Sequence, residues 1–163
     1  MSSSRHHTLR AFATLRFTGD EVDPAQVSEI LQTSPTFEYR KGDPYKIRPD
    51  APLSFRKTNL WLLDSAKIIE DLDLKKHVKC LESALSDNLT EYMRDEKFDR
   101  IRHYCSDHHV EVLATLFWHG DHQSRPPRAS ARFANMIAHL NGEVAEDFET
   151  DAAPGAFSPA TPH

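Results

Sequence analysis

The stretch RFTGDEVDPAQVSEIL, residues 16–31, decides the fold because it sets a strand end, a turn and a helix start within sixteen residues. Before it, Leu9, Ala11, Ala13, Leu15 and Phe17 alternate with Arg10, Phe12, Thr14, Arg16 and Thr18. Successive strand side chains point to opposite faces, so this period of two predicts a strand buried mainly on one face. Gly19 and Asp20 break the alternation. Asp23 then stands where a side-chain oxygen caps a helix, and Pro24 takes the first helical position, where no backbone N–H is needed. Gln26 falls at the third position of a capping box, and Val22 and Val27 fall where a hydrophobic staple needs them. Val27, Ile30 and Leu31 share one face, giving a short amphipathic helix that packs against the sheet and stops before Pro35.

The rest of the chain continues the pattern. Phe37 and Tyr39 alternate with Glu38 and Arg40 in a second strand ended by Gly42 and Pro44, and Pro44, Pro49 and Pro52 mark one long loop. TNLWLLDS is a third strand with Trp61 and Leu63 on one face and Leu60 and Leu62 on the other. Leu74, Val78, Leu81 and Leu85 step by four, three and four, which predicts a core-facing helix over residues 73–85. A further helical piece is expected over residues 88–98, and HVEVLATLFWHG is a strong, central strand. A helix over residues 129–140 and a short edge strand, GEVAEDFE, close the domain. The order β-α-β-β-α-(α)-β-α-β predicts an α+β fold. The expected form is a ferredoxin-like split β-α-β sheet, mostly antiparallel, with helices on one face and a C-terminal α-β extension.

A chain of 163 residues suits one domain, expected over residues 8–149, with residues 1–7 and 150–163 disordered because they are rich in Ser, Ala and Pro without periodicity. The apolar run VLATLFW is far short of the roughly 20 residues that cross a bilayer. MSSSRHH has no apolar segment behind its basic residues, and the chain has only two cysteines, Cys80 and Cys105. These features predict reduced thiols in the cytoplasm. A net charge of −5 argues against general nucleic-acid affinity. RNA binding on an open sheet face carrying Arg10, Phe12 and Arg16 ranks last, because that face has no RNP-type aromatic run.

Charge is unevenly spread. Between Arg40 and Lys57 six bases (Arg40, Lys41, Lys46, Arg48, Arg56, Lys57) meet two acids, Asp43 and Asp50, whereas residues 143–151 hold five acids and no base. The candidate binding residues are therefore Arg40, Lys41, Asp43, Arg48, Arg56 and Lys57, on a loop that would contact an acidic protein surface or small anion. The competing reading of Lys41-Gly42-Asp43 is a simple turn. HYCSDHH offers His103, Cys105, His108 and His109 as zinc ligands or as a thiol and base, but matches no standard spacing, and exposed loop histidines are the default. HGDH adds His119 and His122 at the far end of a strand. No nucleotide, nucleophile-elbow or zincin motif occurs, and no cofactor is implied. The reading is a non-enzymatic module that binds a protein partner, in regulation or as an immunity-like protein. The alternative is a small metal-binding protein or enzyme using the His and Cys clusters.

Taken together, RFTGDEVDPAQVSEIL, SPTFEYRKGD, LWLLDS and RFANMIAHLNGEVAEDFE resemble the successive blocks of the bacterial domain of unknown function family 4279. The resemblance spans roughly residues 9–149 and implies a small α+β bacterial domain with no established activity. Ala145 stands where similar sequences carry an acid, while Asp147 keeps the next one.

Overall fold

The alternation of the first strand holds from Ala11 onward: in β1 (Thr8–Gly19), Ala13, Leu15 and Phe17 are completely buried while Arg16 is exposed, but Leu9, expected on the buried face, is 51% exposed where the pairing register shifts at the start of the strand. The computed structural model describes residues 8–153; of the disorder expected for residues 1–7 and 150–163, the parts at 1–7 and 154–163 fall outside them, while Thr150 is instead the last residue of the final strand, kept in register by its pairing with Gly120. After β1 come α1 (Pro24–Leu31), β2 (Phe37–Tyr39), the short strands β3 (Pro44–Tyr45) and β4 (Ser54–Phe55), and β5 (Asn59–Asp64). Then follow α2 (Leu74–Leu85), α3 (Glu96–Asp107), β6 (Glu111–Gly120), α4 (Ala131–His139) and β7 (Glu143–Thr150). The fold is mixed α+β, with a mainly antiparallel five-stranded sheet and, among the described residues, four α-helices.

The sheet order is β2-β5-β1-β6-β7. β1 is antiparallel to both β5 and β6, and β2 is antiparallel to β5. Only β7 is parallel to its neighbour, β6, which it reaches through α4. β3 and β4 form a separate two-stranded ribbon inside the predicted long loop. One sheet face carries Phe17, Trp61, Leu63, Leu116 and Trp118 into the core shared with the helices, where Val27, Leu81, Ile101 and Ile137 are completely buried. Across the other face run Phe12, Thr14, Leu62, Thr115 and Phe117, all half-buried.

Asp23 Oδ1 caps α1 by accepting the Ala25 N–H at 3.0 Å, with Pro24 at the first helical position. The expected capping box is not completed in the usual way. The N–H of Asp23, which Gln26 would accept in that motif, instead donates to the Tyr104 hydroxyl of α3 at 2.8 Å. A long-range partner has displaced the local one. Asp73, Asp95 and Ser130 cap the other three helices, each accepting a backbone N–H in the first turn.

The helical piece expected over residues 88–98 is displaced toward the C-terminus. Residues 92–94 make only a 3-10 turn, and the true helix is α3, starting after the Asp95 cap. Its apolar face, Phe98, Ile101, Tyr104 and Cys105, is interrupted by so many charged residues that the helical period is diluted. HYCSDHH thus lies largely on a helix, and the histidines expected in a loop begin on its last turns.

β5 ends at Asp64, opposite Thr14, so the next backbone N–H of β1, that of Ala13, has no strand partner on that side. Ser65 Oγ accepts it at 2.8 Å. The same hydroxyl lies 2.7 Å from His77 Nδ1, and His77 Nε2 lies 2.8 Å from the Asp71 carbonyl oxygen. That carbonyl can only accept, so Nε2 donates to it and Nδ1 receives the Ser65 hydroxyl proton. Ser65 and His77 are buried, at 0% and 1% exposure, and every polar atom of the chain of bonds is satisfied. Ser65→Ala strands the Ala13 N–H and the His77 nitrogen together, and should cost about 1–3 kcal/mol with an unchanged denaturant slope. Urea unfolding that places the variant's midpoint on the wild-type value would contradict this account.

Candidate functional site

The predicted basic loop, residues 40–57, is an arm whose root is fastened and whose tip is apolar. At the root, Gly42 has φ of +90°, in the region that favours glycine, while a Cβ placed there would meet nothing within 4 Å. The glycine is needed for backbone conformation and not for space. The Gly42 N–H donates to the Arg56 carbonyl at 2.8 Å and the Arg56 N–H donates to the Asp43 carbonyl at 2.9 Å. The Asp43 carboxylate accepts the Arg40 N–H at 2.7 Å, and Asn59 Oδ1 accepts the Lys41 N–H at 2.6 Å. Asp43 therefore closes the turn.

The charged side chains are largely engaged within the molecule. Arg40 Nη2 donates to Asp23 Oδ1 at 2.9 Å, Lys41 Nζ sits 3.8 Å from Asp20, and Arg48 Nε sits 3.1 Å from Asp50. The Arg56 guanidinium lies over the Tyr45 ring at 3.9 Å and the Tyr39 ring at 4.2 Å, which pins the ribbon to β2 through cation–π contacts. Lys46 and Lys57 are exposed, and neither makes an ion pair among the described residues. Arg40, Lys41 and Asp43 are thus brought together with Asp23 and Asn59, while Arg48 belongs to the outer loop and Arg56 to the hinge of aromatic rings.

Charge counting missed the apolar residues of the same segment. Ile47 is 82% exposed, Phe55 58%, Leu53 54% and Phe37 47%. Ile47 and Leu53 leave the ribbon at the same end, just beyond the Tyr45–Ser54 pair. The signal available in the sequence was Ile47, Leu53 and Phe55 in a stretch too rich in proline and charge to form a core strand; Phe37 lies outside that stretch, in β2.

The other candidates do not assemble. His103, Cys105, His108 and His109 point in different directions from the end of α3. His103 is exposed and sits 2.8 Å from the Asp99 carbonyl, while Cys105 faces the core at 4% exposure. His108 stacks on Tyr104 at 4.2 Å, and His109 is exposed with φ of 50°. Among the described residues no three His, Cys, Asp or Glu side chains converge on a metal position. Burial pushes the Cys105 thiol up to about 12, so it stays protonated near neutrality and is no nucleophile. His119 Nε2 lies 2.6 Å from the Asp151 carboxylate, whose hydrogen bond raises the histidine's pKa. Arg10, Phe12 and Arg16 do share the open sheet face, where Phe12 stacks on Phe117 at 4.3 Å. By register with β6, Asp147 and Glu149 occupy that face too, so its charge is mixed.

Asp23 joins these parts: it caps α1, receives Arg40 from the arm and gives its N–H to Tyr104. The hydrogen bond from Arg40 is the main cause that holds its carboxyl below the usual aspartate range, and the Ala25 N–H adds to it. The pKa is lower in the folded chain than in the unfolded one. The stabilisation is therefore full above the ordinary aspartate range and is lost as pH falls through the lowered value. Arg40→Ala should raise the Asp23 midpoint in a carboxyl-carbon NMR titration, and an unmoved midpoint would show the pair to be unimportant to that carboxylate.

No match to the chain was found among curated proteins or among solved structures. No helix among the described residues is long and apolar enough to cross a membrane. A family model does match, over residues 7–150, nearly the whole of the described fold, and its description is Domain of unknown function (DUF4279). The chain belongs to that family.

Proposed function

We propose that the protein is a non-enzymatic binding module, regulatory or immunity-like in role, that docks an acidic protein partner through the arm between β2 and β5. The observation that carries this reading is the exposure of Ile47, Leu53 and Phe55 on this one arm, with exposed Phe37 in the adjoining β2. Large apolar side chains rimmed by polar ones are the usual anatomy of an interface core. Lys46 and Lys57, exposed on the same segment and without an ion pair among the described residues, favour a partner of negative charge. The bonds at the root of the arm support the same reading, because a segment already held in place loses less freedom on binding.

We also infer that the sheet is a ferredoxin-like core extended by β7. The support is the order β2-β5-β1-β6 together with its directions: β1 and β2 run the same way with β5 between them, and β5 and β6 run the same way with β1 between them. A cytoplasmic setting is favoured by the free thiols of Cys80 and Cys105. The metal-binding or enzymatic alternative is weaker, since its ligands diverge around α3.

Affinity capture from the source cell, followed by reconstitution of the purified pair, tests the docking surface. The combined variant I47S/L53S/F55S should fold with a near-native melting temperature. It should weaken the pair by at least about 30-fold, as expected for the loss of even one interface hot spot. Reversing Lys46 and Lys57 to Glu should slow association, most clearly at low salt. A reconstituted partner held as tightly by both variants as by the wild type would end the proposal.

A further inference from the structure

A second surface, independent of the arm, lies on the helical side of the sheet. Between α2 and the start of α4 there is a groove of about 440 Å³, within the size range of small-molecule sites. Leu74 and Val78 of α2 with Pro127 form an apolar floor above completely buried Leu116 of β6, and Lys75, Lys79 and Arg128 stand on the rim. These three cations are exposed and make no ion pair among the described residues. The acid in the lining, Glu82, is occupied: its carboxylate is 3% exposed and accepts Arg132 Nε at 2.6 Å and Nη2 at 3.2 Å. A wider cleft continues from the groove toward Asp71 and Asp73, and these carboxylates are engaged as well, Asp71 with Lys76 at 3.0 Å and Asp73 as the cap of α2.

We propose that this groove binds a small amphipathic carboxylate, its hydrocarbon part on Leu74, Val78 and Pro127 and its anionic head among Lys75, Lys79 and Arg128. The warrant is complementarity. In a chain of net charge −5 the groove keeps three cations without an ion pair among the described residues beside an apolar floor, while Glu82, Asp71 and Asp73 each have their own partner. A neutral apolar molecule would leave the rim unused, a simple inorganic anion would leave the floor unused, and a cation would be repelled.

Calorimetric titration of the full chain with butanoate, hexanoate and octanoate tests this. Affinity should rise by about four-fold for each methylene that reaches the floor. Acetate and octylammonium should give no saturable binding. K79E/R128E, both at exposed positions, should weaken octanoate at least ten-fold, and Ala129→Trp, also at an exposed position, should block the groove by filling it. Circular dichroism confirms that each variant is folded, and I47S/L53S/F55S should bind octanoate normally, which separates this site from the docking arm. Absence of saturable octanoate binding, equal binding of octylammonium, or binding that survives both groove variants overturns the proposal. Co-sedimentation with phosphatidylglycerol vesicles that K79E/R128E abolishes, with no response to free octanoate, overturns it in favour of a membrane surface.

Discussion

β1 gives its backbone to two antiparallel neighbours, β5 along residues 14–19 and β6 along residues 8–18, while its odd-numbered side chains from Ala11 to Phe17 enter the core. Register and burial are locked together here, since a slip of one residue would turn Leu15 and Phe17 outward and bring Arg16 in. Burial of each of those two side chains is worth roughly 1.5–3 kcal/mol, so the penalty for a slip is large against ordinary domain stability. Much else follows from this strand. Because β1 outruns β5, Ala13 needs a partner from elsewhere, and the Ser65–His77–Asp71 chain of bonds ties the start of α2 to the middle of the sheet.

The arm and the core are connected through Asp23, a residue with three separate obligations. Its side chain holds both the first turn of α1 and Arg40, and its backbone holds Tyr104. The basic residues of the arm are thereby divided by position. Those near its root serve mainly to fix it, and those farther out stand beside exposed Ile47, Leu53 and Phe55. A charge count treats the two groups as one patch.

Strands, caps and the one-sided core were legible because local chemistry and global packing agree there: Asp23-Pro24 starts a helix, and the Leu74, Val78, Leu81, Leu85 spacing makes one. Where the two compete, legibility failed. α3 was misplaced because Phe98, Ile101 and Tyr104 are separated by Asp99, Arg100, Arg102 and His103, which hide the period behind a charged face. Gln26 had the right spacing for a capping box, but Tyr104, 81 residues from Asp23, had the better position. The arm's composition was visible and its meaning only partly so. Charge is written in the sequence, whereas which cations are already paired and which apolar residues face water depends on contacts between distant segments. The groove beside α2 had no sequence signal at all, since its rim and floor come from α2, β6 and residues 127–132.

The last strand of the sheet, β7, has β6 on one side and, among the described residues, no strand on the other. An open margin of this kind is a template on which a second chain can add itself. β7 carries Glu143, Glu146, Asp147 and Glu149 and no base, so two such margins brought together would oppose acid with acid. Mutual repulsion guards the border against self-association. The guard weakens at high ionic strength, when that charge is screened.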